Sequence, residues 1–232
     1  MSVVAELILV RHGQSLANVA FPAADAQGLL EAEVSGRDAE VPLTPLGEQQ
    51  AAAVGAWLAA LPEADLPEVA ITSPYVRAKE TWRLAATASG LRLPAPTTDD
   101  RLVDRLLGDL EMMTRAAIAE RYPAEATRRA EAGEYLYAPP GGESFQDVQS
   151  RLAAFLADLH HSRAGERVIV VAHDAVVLMM RATIENLDWP SVVAMEKAEG
   201  TVRNASISQF KAHNGTLELV RYNAVDHLPP AP

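Results

Sequence analysis

The chain reads LILVRHGQSLAN over residues 7–18. This stretch begins with four apolar residues, two of them β-branched, which predicts a strand buried on both faces. Arg11 and His12 end that strand, and in open α/β sheets ligands bind at the carboxyl ends of the strands. Gly13 then allows the backbone to turn and to approach a ligand closely. The segment therefore predicts a binding site that contains a guanidinium and an imidazole.

Two further strand ends carry groups suited to phosphate. Residues 68–72 are predicted to form a short strand, and Arg77 lies one turn into the helix that follows. Residues 167–172 (RVIVVA) form the clearest predicted strand, which His173 ends. Taken singly, Arg77 is typical of an exposed helix residue and His173 of a hydrogen-bonded core histidine. Because the carboxyl ends of parallel strands meet at one edge, we expect these groups to share one cationic pocket.

The composition indicates a globular protein that is long enough for a sizeable core. Of its 232 residues 49% are hydrophobic and 22% are charged. The net charge of −11 argues against a nucleic-acid or anionic membrane surface, but a local cationic pocket can still bind a small anion. The lack of cysteine excludes disulfides and thiolate metal sites. With no convincing metal-ligand spacing, neither a metal nor another cofactor is expected, and the absence of a leader-like segment makes the cytoplasm the expected location.

The order of the predicted elements indicates an α/β fold. Strands that alternate with helices predict a mostly parallel sheet with helices on both faces. Residues 204–210 and 217–222 are predicted as two late strands around Asn214-Gly215, a strong hairpin signal, so part of the sheet should be antiparallel. Residues 98–103 are predicted to be extended.

The organisation of the chain predicts a single domain over residues 1–232, because no repeat or central linker interrupts it. Residues 21–41 and 108–140 have the least recognisable pattern, and we expect these two excursions on the substrate side, where they determine specificity. The Pro-rich residues 228–232 are expected to be a frayed tail.

These motifs resemble the histidine phosphatase superfamily, also called the phosphoglycerate mutase-like family. The resemblance runs from Leu7 to Leu228 and is strongest in the RHG motif, which Ser15 and Asn18 follow at the family's spacing. Other family-like segments are residues 73–81, 139–144, 170–173 and 204–206. The resemblance implies a three-layer α/β/α sandwich around a central, mostly parallel mixed sheet.

The resemblance also implies roles for individual residues. His12 would be the nucleophile that becomes transiently phosphorylated. The phosphoryl group and substrate would be bound by Arg11, Arg77, His173, Ser15 and Asn18. These residue types suit the chemistry, because a neutral imidazole nitrogen is a competent nucleophile and the guanidinium fork matches phosphate oxygens.

The leaving oxygen needs a proton, and two carboxyl groups are candidates for the donor. Asp104 stands where many members of the family carry a glutamate, although its side chain is one methylene shorter. Asp174 follows the second histidine, and in the acid-phosphatase branch of the family an aspartate at that place donates the proton. A helix cap is the alternative role of Asp174. The spacing from Asp99 to Gly108 favours Asp104.

The function predicted from the sequence is hydrolysis of a small phosphorylated metabolite through a phosphohistidine. The main alternative is a phosphoglycerate mutase, but residues 108–141 are shorter than the corresponding excursion of mutase-type relatives and lack its aromatic and basic residues. A non-catalytic phosphate-binding module is the third alternative, and it would not need His12. The expected partner is a small phosphorylated substrate, and a homodimer is a possible assembly.

Overall fold

The computed structural model describes residues 3–229 and has a six-stranded sheet at its centre. The strands are β1 (Glu6–Arg11), β2 (Val69–Thr72), β3 (Pro96–Thr98), β4 (Arg167–Ala172), β5 (Ile207–His213) and β6 (Thr216–Ala224). Their order in the sheet is β3-β2-β4-β1-β5-β6. The first four run parallel to one another, whereas β5 and β6 are antiparallel to their neighbours. The predicted mostly parallel mixed sheet is therefore confirmed.

Helices cover both faces of this sheet. They are α1 (Leu16–Ala26), α2 (Pro45–Ala59), α3 (Val76–Ser89), α4 (Arg115–Arg121), α5 (Glu125–Ala132), α6 (Phe145–Ser162), α7 (Asp174–Ile184) and α8 (Trp189–Glu199). One apolar cluster joins the sheet to α6, α7 and α8, and a second joins the opposite face to α2 and α3. These two clusters confirm the predicted three-layer sandwich.

The pairing of β1 with β4 positions the site. Both strands are apolar runs whose side chains alternate between the two clusters: Leu9 faces one, and Ile8 and Val10 face the other. Parallel pairing places Arg11 opposite Ala172, so the two strands end level with each other. The residue that follows each strand is a histidine, and the two histidines therefore become neighbours.

Two stretches differ from the prediction. The strand predicted from residue 204 begins at Ile207, because Ala205 turns the chain with a φ of 53° and its N–H donates to the carbonyl oxygen of His12 at 3.1 Å. The extended structure predicted for residues 98–103 is wrong beyond Thr98. There Asp99 accepts a hydrogen bond from the N–H of Arg101 at 2.9 Å and starts a 3-10 turn.

Helix α8 is absent from the sequence-based expectations. Asp188 precedes it and accepts from the N–H of Ser191 at 2.9 Å, and Pro190 lies in its first turn. An Asp cap followed by an early proline is a recognisable helix start, so this signal was available in the sequence.

The two excursions are partly helical. Residues 21–41 continue α1 and end in a 3-10 turn, Asp38–Glu40, and residues 108–140 contain α4 and α5. Of the tail predicted for residues 228–232, Leu228 packs against the cluster between the sheet and α2, whereas residues 230–232 lie outside the described residues.

Within residues 3–229, no helix has both the length and the hydropathy needed to cross a membrane. The single-domain organisation of residues 1–232, the homodimer and the cytoplasmic location stay predictions.

Candidate active site

Two buried histidines lie side by side at the carboxyl edge of the sheet. The exposed fraction is 2% for His12, which follows β1, and 0% for His173, which follows β4. Their ring centroids are 5.2 Å apart. The N–H of His12 donates to the carbonyl oxygen of Ala172 at 2.9 Å, which extends the parallel ladder one residue past the strands. The backbone pairing thus holds both rings at fixed positions.

The hydrogen bonds of His12 define its tautomer. Nδ1 lies 2.7 Å from the carbonyl oxygen of Gly13, which can only accept, so Nδ1 carries the proton. Nε2 lies 3.1 Å from Nε of Arg77, which can only donate, so Nε2 holds a lone pair. Burial lowers the pKa of His12 well below 6.5, and the neighbouring His173 and Arg77 lower it further. His12 therefore presents a neutral, nucleophilic Nε2 at pH 7.

His173 is held by a hydroxyl group. Its Nε2 lies 2.8 Å from Oγ of Ser73, which already accepts from the N–H of Tyr75 at 3.3 Å. The Ser73 hydroxyl can then donate to Nε2, which leaves the ring proton on Nδ1. Burial, followed by Arg77 and Arg11, lowers the pKa of His173 well below 6.5. Even a neutral ring thus offers a donor at Nδ1, which has no hydrogen-bond partner among the described residues.

Arg77 uses all of its N–H donors, of which a guanidinium has five. Nε donates to His12. Nη1 donates to the carbonyl oxygen of Asp38 at 2.6 Å and to its Oδ1 at 2.9 Å. Nη2 donates to Oδ2 of Asp38 at 3.1 Å and to Oδ2 of Asp104 at 3.2 Å. The guanidinium is thus aligned by the nucleophile on one side and by two carboxylates on the other.

Thr81 joins Arg77 to the strand that carries His12. It lies one turn further along α3, where its hydroxyl donates to the carbonyl oxygen of Arg77 at 2.7 Å. The hydroxyl oxygen of Thr81 in turn accepts from the N–H of Gly13 at 3.0 Å. A fully buried side chain therefore fixes the helix start relative to the end of β1.

Asp38 was missed by the reasoning from sequence. Its segment lies in the 21–41 excursion, whose composition is typical of a long surface loop or a partly helical segment, and its only signal was a charge on the predicted substrate side. The fold brings it to Arg77 across 39 positions of the chain.

Arg11 is the second arginine that lines the pocket at the end of β1. Its Nη1 donates to the carbonyl oxygen of Val202 at 2.6 Å, and its Nη2 lies 3.4 Å from Oδ2 of Asp174. Its buried Nε has no hydrogen-bond partner in the described part of the chain. Because buried polar atoms are usually paired, this nitrogen is a further donor that a ligand could use.

Asp104 lies between Arg77 and His173. Its Oδ2 is 3.2 Å from Nη2 of Arg77 and 3.4 Å from Nδ1 of His173, and its Oδ1 accepts from the N–H of Arg105 at 2.9 Å. The loop that carries Asp104 is held by Arg151, which donates to the carbonyl oxygen of Asp104 at 3.1 Å. Its shorter side chain therefore does reach the phosphate-suited groups.

Asp174 lines the same cavity as Asp104 and lies beside Arg11. It is the first residue of α7, and His173 occupies the cap position, so the role of N-cap considered for Asp174 is wrong. Its Oδ1 accepts from the N–H of Ala175 at 2.9 Å. Its place in the pocket raises the pKa of the Asp174 carboxyl, chiefly by partial loss of hydration, although 46% of the side chain stays exposed and the nearby Arg11 opposes the shift. A carboxyl group with a raised pKa is suited to donate a proton.

Ser15 and Asn18 form the start of α1. Oγ of Ser15 accepts from the N–H of Asn18 at 3.3 Å, and Oδ1 of Asn18 accepts from the N–H of Ser15 at 3.0 Å, which is a capping box. Ser15 is 1% exposed, and both Ser15 and Asn18 also line the cavity at the site. Asn204 donates to Oδ1 of Asn18 at 3.0 Å and to the carbonyl oxygen of His12 at 3.2 Å, and it joins the site as a further pocket residue.

Gly13 is required by another part of the protein. A Cβ atom at Gly13 would lie 2.3 Å from the carbonyl oxygen of Gly47 in α2. Gly13 thus permits a close approach of two backbones, while its expected approach to a ligand stays a prediction.

The site opens into a cavity of about 590 Å³. Both excursions contribute to its lining. The groups described above that line it are Arg11, His12, Ser15, Asn18, Asp38, Arg77, Asp104, Asp174 and Asn204, whereas the fully buried His173 is not among them. The apolar lining residues are Ala17, Phe21, Pro22, Leu106, Leu107, Met112, Met113 and Ala175. The cationic ones among the described residues are Arg11, Arg77 and Arg105, and the acidic ones are Asp25, Asp38, Asp104, Glu111 and Asp174. Across residues 3–229, no group of three or more histidine or acidic side chains is placed to hold a metal ion.

Comparison with known proteins identifies the family. Residues 7–225 match the histidine phosphatase superfamily (branch 1), to which the chain therefore belongs, and it is an enzyme of the histidine phosphatase class. It is 33% identical over 198 residues to the 2,3-bisphosphoglycerate-dependent phosphoglycerate mutase 2 of Gloeobacter violaceus, covering 83% of this chain and 80% of that protein.

Solved structures show the same fold. A mycobacterial glucosyl-3-phosphoglycerate phosphatase, solved with VO3, is 27% identical and aligns with a TM-score of 0.70 over 96% of this chain and all of its own. A protein described as a putative alpha-ribazole-5'-P phosphatase from Escherichia coli is 22% identical, with a TM-score of 0.75 over 95% of this chain and 97% of its own. The similar proteins thus include both phosphatases and mutases.

Proposed function

We propose that this protein hydrolyses a small phosphomonoester through a phosphohistidine at His12. The observation that carries the proposal is the state of that side chain. Its Nε2 is unprotonated and lies 3.1 Å from the guanidinium of Arg77. A buried nucleophile beside a cation is the arrangement that phosphoryl transfer needs, because the transferring group carries negative charge on its equatorial oxygens.

In the first step, Nε2 of His12 forms a bond to phosphorus while the bond from phosphorus to the leaving oxygen breaks. Arg11, Arg77 and Nδ1 of His173 donate hydrogen bonds to the phosphoryl oxygens. The leaving oxygen takes a proton from a carboxylic acid and departs as an alcohol. We assign this donor to Asp104, since a phosphoryl dianion bound between Arg77 and His173 would lie against its carboxyl group. Asp174, beside Arg11, is the alternative.

In the second step, the same carboxylate accepts a proton from water, whose oxygen attacks phosphorus as the bond to His12 breaks. Inorganic phosphate and neutral His12 are the products. The open connection between the site and its cavity supports this step, because water must reach the phosphohistidine. Microscopic reversibility makes the acid of the first step the base of the second.

The charges of the cavity favour hydrolysis over a mutase reaction. A phosphoglycerate carries a carboxylate in addition to its phosphate, and a mutase must bind both. Beyond the two arginines at the phosphoryl end, the described lining residues include one other cation, Arg105. Its Nε and Nη2 already donate to the carbonyl oxygens of Glu143 and Tyr137 at 2.8 and 2.9 Å. The second candidate, a phosphoglycerate mutase, is favoured by the names of the curated relatives.

The proposal is tested by trapping the intermediate. Brief incubation with p-nitrophenyl phosphate followed by rapid quenching should leave acid-labile, base-stable phosphate on the wild type and none on His12→Ala. The variant should also lose several orders of magnitude in turnover, as is usual for a missing nucleophile. Near-wild-type hydrolysis by His12→Ala would refute the mechanism. A parallel assay with 3-phosphoglycerate should release phosphate, whereas faster interconversion of phosphoglycerates would select the mutase.

A further inference from the structure

The place next to Arg77 where a phosphoryl group is expected is filled by the protein itself. The two carboxylate oxygens of Asp38 accept from Nη1 and Nη2 of Arg77 at 2.9 and 3.1 Å. This fork-to-fork contact is the one that two phosphate oxygens make with a guanidinium. Arg77 is 4% exposed and Asp38 is 27% exposed, so the carboxylate closes the pair on the side of the cavity.

Backbone contacts hold the turn that carries Asp38, whereas its carboxylate hydrogen-bonds to Arg77 alone among the described residues. The N–H of Asp38 donates to Oε1 of Glu111 at 2.8 Å, and its carbonyl oxygen accepts from Arg77. The turn is only three residues long, and its last residue, Glu40, is exposed. The Asp38 side chain can therefore leave Arg77 without disturbing the core.

We propose that Asp38 competes with the phosphoryl group for Arg77. Because all five N–H donors of Arg77 are in use, a phosphate oxygen can bind to a terminal nitrogen only after a carboxylate has left. The apparent affinity for phosphate is then the intrinsic affinity multiplied by the fraction of molecules in which Arg77 is free. After hydrolysis, the returning carboxylate displaces inorganic phosphate, so Asp38 promotes product release. This inference rests on the proposed phosphoryl site.

A purely positioning role for Asp38 predicts an effect of the opposite sign. If the carboxylate only aligned the guanidinium, its removal would disorder Arg77 and weaken phosphate binding. If it competes, its removal strengthens phosphate binding. The sign of the change in affinity therefore separates the two roles.

The test is calorimetric titration of the full-length protein with inorganic phosphate, which requires no turnover. Asp38→Asn and Asp38→Ala should lower the dissociation constant by about tenfold, the change expected if Arg77 is free in about one wild-type molecule in ten. Asp38→Glu keeps the charge and should stay nearer to the wild type. Glu40→Gln is the matched control in the same turn and should bind phosphate as the wild type does. Thermal unfolding of each variant verifies that it is folded.

Unchanged or weaker phosphate binding by both folded variants, Asp38→Asn and Asp38→Ala, would overturn the inference. The outcome is separable from that of the proposed function. Tighter binding without any phosphohistidine would support competition at this site while refuting the catalytic proposal. Phosphohistidine on the wild type, together with Asp38 variants that bind phosphate no more tightly, would support the catalytic proposal and refute the competition. Failure of every protein to bind phosphate would contradict both.

Discussion

The guanidinium of Arg77 contacts His12, Asp38 and Asp104 at the same time, and its planar shape allows these contacts together. Arg77→Lys would keep the charge and lose the fork. We expect about a 100-fold fall in kcat, the usual loss when a preorganised donor is removed, and weaker inhibition by vanadate. Steady-state kinetics with p-nitrophenyl phosphate measures both. Arg83→Lys, at an exposed position of the same helix, is the matched control and should leave both unchanged. Full activity in Arg77→Lys would show that the guanidinium fork of Arg77 does not contribute to catalysis.

The two candidate acids can be distinguished by the leaving group. A proton donor matters most when the leaving oxygen is strongly basic, so the amide variant of the true donor should impair an alkyl phosphate far more than p-nitrophenyl phosphate. We expect this pattern for Asp104→Asn. Asp174→Asn should be milder, because an amide oxygen can still accept from the N–H of Ala175. The ratio of kcat/KM for the two substrates is the measurement, and the reverse pattern would assign the acid to Asp174.

The contact between the end of β1 and α2 depends on two glycines. In Gly13→Ala the new methyl group would lie 2.3 Å from the Gly47 carbonyl oxygen, so the strand end and the helix must separate. We expect a loss of about 1–3 kcal/mol of unfolding free energy, the range for overpacking, together with lower kcat because His12 bonds to the Gly13 carbonyl.

Denaturant unfolding of Gly13→Ala measures the loss. Gly28→Ala is a comparison without a steric clash, since a methyl group there meets nothing within 4 Å, although its φ of +64° carries a backbone cost. Equal stability of Gly13→Ala and the wild type would show that the two elements are not packed as described.

The stability of the whole molecule should depend on pH through its buried histidines. The pKa values of His12 and His173 are lowered well below 6.5 in the folded protein, so between those values and 6.5 the unfolded chain binds more protons. The free energy of unfolding is therefore independent of these two histidines above about pH 7. It falls as the pH drops below 6.5, by about 1.4 kcal/mol per pH unit for each such histidine.

Unfolding free energies at pH 7.5 and 5.5 measure this dependence. His173→Gln should lose less unfolding free energy between these two pH values, because a glutamine binds no proton in either the folded or the unfolded state. His213→Gln is the control, since that side chain lies on an exposed part of β5. The same acid-induced loss in the wild type and in His173→Gln would show that His173 is not buried in its neutral form.

The sequence by itself determined the strands that end in His12 and His173, because continuous apolar runs of that length are stable only inside a covered sheet. It also determined that Arg77 begins a helix near the same edge, and that the closing hairpin makes the sheet mixed. These features follow from local patterns, which need no knowledge of distant contacts. The roles of His12, Arg11, Arg77, His173, Ser15, Asn18, Asp104 and Asp174 stay predictions, although the fold brings these residues to one site.

Only the tertiary structure decided which side chains touch. The contact of Asp38 with Arg77 and that of Asn204 with His12 join residues far apart in the chain. Asp38 and Asn204 both lie in turns, although the sequence predicted a strand from residue 204. The need for Gly13 likewise comes from Gly47, which reaches it only when α2 packs against the sheet. Periodicity reports which face of an element is buried, whereas a specific contact depends on how separate elements pack, and that is a property of the folded chain.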